Sequence, residues 1–217
     1  MCRLFDKPSV YFIMGTQNAL GKDPLSVLEE ALRGGITHFQ LREKGAGALQ
    51  GQDLLEFAKN CQELCRQYKV PFLINDDVDL ALAIDADGIH IGQDDMDVGQ
   101  ARALIGKEKI LGVSVHSLEE ARIAIDAGAD YLGMGPVYGT RSKADAKRPA
   151  GTAGIEEVIS HFPEVPIFGI GGITPQNAGA VWQAGACGVA VISALSEADD
   201  IAWQIANFKN SYTGVMI

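Results

Sequence analysis

Three short runs carry most of the reactive chemistry in this chain. In Gln40-Leu41-Arg42-Glu43-Lys44 an amide and two cations stand two residues apart. At the end of a strand, two-residue alternation turns Gln40, Arg42 and Lys44 to one face. Such a face suits an anion, best a phosphate or diphosphate. Two acidic runs follow, Asn75-Asp76-Asp77 and Gly92-Gln93-Asp94-Asp95. One carboxylate from each, Asp76 and Asp95, would make a pair for a hard cation. Magnesium takes one or two carboxylates and borrows phosphate oxygens. Aspartates also favour turns and helix caps, so each of the two has a purely structural reading as well.

Further along, Thr140-Arg141-Ser142-Lys143 gathers two hydroxyls and two cations. A phosphate site and a solvated loop fit that spacing equally. In Gly169-Ile170-Gly171-Gly172-Ile173-Thr174-Pro175 the glycines let backbone N–H groups approach an anion, or serve only close packing. Thr174 is a natural N-cap and Pro175 a natural first helical residue. Ile192 and Ser193 end the last apolar run. Ser114 suits a ligand hydrogen bond or a helix cap, and His116 a structural hydrogen bond as well as a catalytic one.

These runs need elements that bring them together. Strand-like segments fall at 10–14, 37–41, 72–74, 88–91, 109–113, 131–133, 167–170 and 188–192. Helical windows lie at 24–33, 50–67, 77–84, 98–105, 117–127, 154–161, 175–183 and 197–208. Repeated βα units imply parallel strands with helices outside. Eight of them predict a single α/β domain over residues 1–217, a (β/α)8 TIM barrel. An open doubly wound sheet is the alternative, but Gly15-Thr16-Gln17 after the first strand lacks the dinucleotide fingerprint. In a barrel the strand C-terminal ends share one rim, with a phosphate site after strands seven and eight. Gly34-Gly35, Ala127-Gly128-Ala129 and Ala184-Gly185-Ala186 suit left-handed helix ends. The long irregular stretch 139–151 is expected to be a lid.

Bulk properties narrow the partners. The net charge of −10 makes the chain a poor general binder of nucleic acid or anionic membrane. No apolar run has membrane-spanning length. The first ten residues lack the apolar core of a secretory signal, so the cytoplasm is expected. The four cysteines, at 2, 61, 65 and 187, lack zinc-site spacing and are expected to be reduced and structural.

Taken jointly and in order, the motifs resemble the thiamine phosphate synthase family over nearly the whole chain. The landmarks are Gln40–Lys44, Ile74-Asn75-Asp76, Asp87 through Gln93 with Asp95, and Gly112-Val113-Ser114-Val115-His116. Gly133-Met134-Gly135-Pro136, Thr140–Lys143, Gly169–Ile173 and Gly188–Ser193 complete the set. The resemblance implies a barrel that joins 4-amino-2-methyl-5-hydroxymethylpyrimidine diphosphate to a hydroxyethylthiazole phosphate, carboxylated or not. Thiamine phosphate and pyrophosphate are the implied products, by ionisation of the pyrimidine C–O bond and attack of the thiazole nitrogen. It implies substrate contacts from the whole run Gln40, Leu41, Arg42, Glu43 and Lys44, with Asn75 and Ser114 at the pyrimidine diphosphate. Thr140, Arg141 and Ser142 would meet the thiazole phosphate, with Gly172, Ile192 and Ser193 at its phosphate. Lys143 would reach the pyrophosphate. Arg42, Lys44, Lys143 and Ser114 would be catalytic, and Asp76 and Asp95 would hold Mg2+. A homodimer is also implied.

Two positions depart from the family pattern. Asp77 stands where arginine is frequent, which would set an extra carboxylate beside the metal. Ser142 stands where threonine is usual and keeps the hydroxyl. A related thiazole tautomerase carries histidine where this chain has Pro136, which favours the synthase. A noncatalytic phosphometabolite-binding protein is the alternative from another class.

Overall fold

The computed structural model describes residues 5, 8–142 and 148–213. Eight strands alternate with helices: β1 (Ser9–Met14), β2 (His38–Leu41), β3 (Phe72–Asn75), β4 (Gly88–Ile91), β5 (Ile110–Val115), β6 (Tyr131–Met134), β7 (Ile167–Ile170) and β8 (Gly188–Val191). All pair in parallel and in sequence order, and β1 also pairs with β8, at Ser9 with Gly188 through Phe12 with Val191. The sheet is a closed (β/α)8 barrel, and the open-sheet alternative is excluded.

Strand alternation divides the apolar residues into two sets. Val10, Phe12, Phe39, Leu41, Ile74, Ile89 and Val113 face out and form the main core with the helices. Tyr11, Ile13, Leu73, Tyr131, Phe168 and Ala190 face in and fill the barrel. Two glycines make room for the interior rings. A Cβ on Gly112 would stand 2.1 Å from the Tyr131 ring, and one on Gly188 would stand 2.3 Å from Phe168. Polar His38, Gln40 and His90 share this interior and are buried.

The helices are α1 (Pro24–Gly34), α2 (Gly51–Tyr68), α3 (Val78–Ala83), α4 (Val98–Ile105), α5 (Leu118–Asp126), α6 (Ala153–His161), α7 (Ala178–Gln183), α8 (Ser193–Ser196) and α9 (Ile201–Thr213). Asp23, Asp77, Asp97 and Ser117 accept from backbone N–H groups at the starts of α1, α3, α4 and α5. Each such cap contributes about 1 kcal/mol. Gly35, Gly128 and Gly185 take the expected left-handed conformation at helix ends.

Helix starts differ from expectation in two places. Thr174 and Pro175 do not open α7. Instead Asn177 Oδ1 accepts from Thr174 N at 2.8 Å, and its Nδ2 donates to Gly172 O at 3.0 Å. This clamp holds 174–177 in a separate turn, and the helix begins at Ala178. The window 197–208 falls on α9, which starts later, at Ile201, and runs on to Thr213, while the one-turn α8 precedes the window. Cys61, Cys65 and Cys187 are buried thiols, and burial raises the first two well above their ordinary range. No helix among the described residues is long and apolar enough to cross a membrane.

Candidate active site

The C-terminal ends of the strands open onto two joined spaces. One lies over β2–β6 and is lined by Arg42, Lys44, Asn75, Asp76, Asp95 and Ser114, among others. The other is a wider cavity of about 1020 Å3 over β7 and β8, lined by Thr140, Arg141, Ser142, Gly172, Ile192 and Ser193, among others. Thr140, Ile170 and Gly171 border both. These twelve residues therefore gather at one mouth although they span more than half the chain.

In the first space Lys44 Nζ forms an ion pair with Asp76 Oδ2. The route differs from the expected alternation. Strand β2 ends at Leu41, so Arg42 and Lys44 reach the mouth from the loop beyond it. Asp76 itself adopts a left-handed φ of 62°, uncommon outside glycine though best tolerated by Asn and Asp. Its N–H donates to His90 O at 2.8 Å, which ties the end of β3 to β4. Asp95 Oδ2 accepts from Gly92 N at 2.8 Å.

The two carboxyl groups line the same space and push each other's acidity in opposite directions. Burial raises Asp76 to about 6, and the Asp95 carboxylate adds to the rise while Lys44 opposes it. Burial also works against charge on Asp95. The Asp76 hydrogen bond, the Gly92 N–H and the field of Lys44 outweigh it and hold that carboxyl low. Two abutting carboxyl groups, one reluctant to ionise, form a site that a divalent cation would relieve. They are also the only two such ligands needed by a magnesium ion that takes its other oxygens from phosphate and water. Among the described residues no cluster of three or more acidic, His or Cys side chains forms a closed metal cage.

Neighbouring aspartates separate cleanly. Asp77 is exposed and its Oδ1 accepts from Leu80 N at 2.9 Å, so the expected extra carboxylate beside the metal is spent as the α3 cap. Leu41 packs outward in the apolar shell. Glu43 accepts from Thr16 N at 2.7 Å, Thr16 Oγ1 at 2.5 Å and Leu49 N at 2.9 Å. Both border a smaller cavity beside β3 instead of the mouth. His116 Nδ1 lies 3.0 Å from Glu120 Oε2, the structural reading of that histidine.

Gln40 is also not at the mouth. It lies inside the barrel, 1% exposed, with Nε2 donating to the Tyr11 hydroxyl at 2.7 Å and Oε1 without a hydrogen-bond partner. Above it, Ser114 Oγ lies 2.8 Å from His90 Nε2. The sequence reading missed His90, Tyr11 and Tyr131 as part of the site. The available signal was a histidine between two outward isoleucines in Ile89-His90-Ile91, which alternation points inward.

At the second space, Ser142 Oγ donates to Ser193 Oγ at 3.1 Å, and Ser142 N donates to Thr140 Oγ1 at 3.2 Å. Hydroxyls from the β6 and β8 loops thus meet. Gly171 and Gly172 have φ of 98° and 61°. A Cβ would stand 2.5 Å from Pro136 Cβ at Gly171 and 2.3 Å from Gly139 O at Gly172. Close packing of the β7 loop on the β6 loop requires both glycines. Lys143 and the centre of the expected lid, residues 143–147, lie outside the described residues.

The thiamine monophosphate synthase family profile matches residues 10–195. The chain belongs to that family. It is 55% identical over 201 residues to thiamine-phosphate synthase of Lysinibacillus sphaericus, covering 93% of this chain and 94% of the relative. Identity to the Bacillus mycoides thiamine-phosphate synthase is 56% over 194 residues, covering 88% and 86%. Among solved structures, thiamine phosphate pyrophosphorylase from Pyrococcus furiosus superposes with a TM-score of 0.85 at 35% identity, covering 99% of this chain and all of that one. Membership makes the chain a transferase of thiamine biosynthesis.

Proposed function

We propose that this chain condenses 4-amino-2-methyl-5-hydroxymethylpyrimidine diphosphate with a hydroxyethylthiazole phosphate, releasing pyrophosphate, with Mg2+ as cofactor. The observation that carries the reading is the meeting of Lys44, Asp76 and Asp95 in one space that opens directly onto the hydroxyl-lined cavity. The first space suits a diphosphate on a metal, the second a smaller phosphate. The shared border lets two heterocycles face each other.

The chemistry needs charge in place rather than a strong base. The C–O bond to the diphosphate breaks and its electron pair leaves with the pyrophosphate. The cation left on the exocyclic methylene is stabilised by the electron-rich aminopyrimidine, and the thiazole nitrogen lone pair then forms the new C–N bond. Arg42 and Lys44 accommodate the charge that grows on the leaving group, with Lys143 assigned the same task. Bound magnesium, held by Asp76 and Asp95, would neutralise further charge there. Each ~1.4 kcal/mol of stabilisation specific to the transition state is worth about tenfold in rate. Preplaced charges of this kind supply several kcal/mol. Gln40, with its buried unpartnered Oε1, and Ser114 are assigned to the pyrimidine, with Asn75 beside the diphosphate.

The deciding experiment is mass spectrometry of the reaction. Thiamine phosphate and pyrophosphate are expected to form only when both substrates and magnesium are present. Product from a single substrate, isomerisation of the thiazole alone, or binding without turnover would overturn the reading. Cytoplasmic residence and a homodimer complete the proposal.

A further inference from the structure

Five side chains from five strands are joined in series inside the barrel. Gln40 Nε2 donates to the Tyr11 hydroxyl at 2.7 Å, and the Tyr11 and Tyr131 hydroxyls are 2.9 Å apart. The Tyr131 hydroxyl lies 2.8 Å from His90 Nδ1, and His90 Nε2 lies 2.8 Å from Ser114 Oγ. The chain runs from β2 through β1, β6 and β4 to β5. Its first four members are buried, and the open space is reached by His90 and by the half-buried Ser114 at the end of the series.

We propose that this chain runs in one direction and makes His90 a positioning residue that presents Ser114 to the substrate as a hydrogen-bond donor. The inference rests on the proposed function, in which Ser114 faces the pyrimidine diphosphate.

Counting protons sets the direction. An amide nitrogen only donates. Tyr11 accepts from Gln40 and so donates onward to Tyr131. Tyr131 accepts there and donates to His90 Nδ1. A neutral imidazole carries one N–H, so the His90 proton sits on Nε2 and goes to Ser114 Oγ. The hydroxyl hydrogen of Ser114 is then left to point into the active space. Burial raises both tyrosine hydroxyls, which keeps each link a proton carrier at working pH.

The direction has a chemical consequence. A diphosphate and a ring nitrogen are acceptors, so a serine facing them needs a hydrogen to offer. If the Gln40 amide were turned over, every bond in the series would reverse. Ser114 would then spend its hydrogen on His90 and present only lone pairs. Gln40 thus sets the polarity of a serine on the far side of the barrel, and a ligand that donates to the unpartnered Gln40 Oε1 favours the useful direction.

Two measurements test this on the full chain. The first is two-bond 1H–15N correlation of 15N-labelled protein without substrate, with the His90 signals identified by their loss in His90→Gln. The proton is expected on Nε2. A proton on Nδ1 overturns the proposal. The second is a kinetic cycle. Tyr131→Phe keeps the ring and removes the link, and is expected to lower kcat about tenfold with KM for the thiazole phosphate unchanged. In a Ser114→Ala background the same change is expected to cost less than about twofold. Equal losses in both backgrounds would mean that Tyr131 acts through packing, and would also overturn the proposal. Tyr11→Phe breaks the same series one link earlier and supplies the cycle if Tyr131→Phe folds poorly. The product assay judges the reaction, whereas the ring-nitrogen measurement needs no turnover, so the two failures are distinguishable.

Discussion

The two sides of the barrel mouth are built on different principles. Over β2–β5 the site is made of charge: the Lys44–Asp76 ion pair, the Asp76–Asp95 carboxyl pair, and Arg42 beside them. Over β6–β8 it is made of hydroxyls and backbone: Ser142 on Ser193, Thr140, and two glycines packed against the neighbouring loop. The first arrangement answers charge that develops during a reaction. The second fits a phosphate whose charge does not change. The proposed chemistry needs this division, because only the diphosphate leaves.

The comparison can be broken most decisively on the charged side. Asp76→Ala and Lys143→Ala should each lower kcat by roughly 100- to 1,000-fold while the thermal unfolding midpoint stays near wild type. Turnover close to wild type in both would remove the leaving-group side altogether. On the other side the largest effect should come from Gly172→Ala. The new Cβ meets Gly139 O at 2.3 Å and the φ of 61° is retained. A loss of about 1–3 kcal/mol in denaturant unfolding is expected, with weaker thiazole phosphate binding. Unchanged stability would mean that the two loops are not packed as described.

A milder change sharpens the contrast. Ser193→Ala removes the hydroxyl that accepts from Ser142. KM for the thiazole phosphate should rise by about tenfold or less, with kcat nearly unchanged. A fall in kcat at constant KM would place Ser193 in the chemical step and blur the division.

The smallest effect is on pH dependence. Asp76 is raised from its ordinary 3.8 to about 6 in the folded chain. A carboxyl raised on folding favours the fold while protonated, so its contribution is full below about 4 and lost as pH rises through about 6. In chelator-treated protein, Asp76→Asn should gain stability over wild type across that interval, and added magnesium should shrink the difference. A difference that is flat from pH 4 to 7 would show that Asp76 is not strained by its neighbours.

Much of this was legible in the chain itself. Helix α4 and strands β4 and β7 fall at the expected residues, because apolar periodicity and glycine or aspartate boundaries agree there. The start of α7 was misread because Thr174-Pro175 is a sound local signal that Asn177 overrides through two hydrogen bonds to the loop. The alternation reading of Lys44 failed for a related reason. A strand period holds only while the chain stays extended, and β2 stops at Leu41. Among the aspartates, spacing did not separate Asp76 from Asp77. Backbone conformation did, turning one toward the mouth and the other onto a helix N-terminus.

The order and type of residues determined eight βα units, an outer apolar face and an inner mixed one, and the motifs that mark the family. Those follow from local physics, since side-chain direction repeats every two residues in a strand and every 3.6 in a helix. Closure of β1 on β8, the meeting of Ser142 with Ser193, and the series from Gln40 to Ser114 were decided only by the tertiary structure. Contacts such as Tyr11 with Tyr131, 120 residues apart, depend on how strongly the closed sheet tilts and shears. No local pattern carries that information.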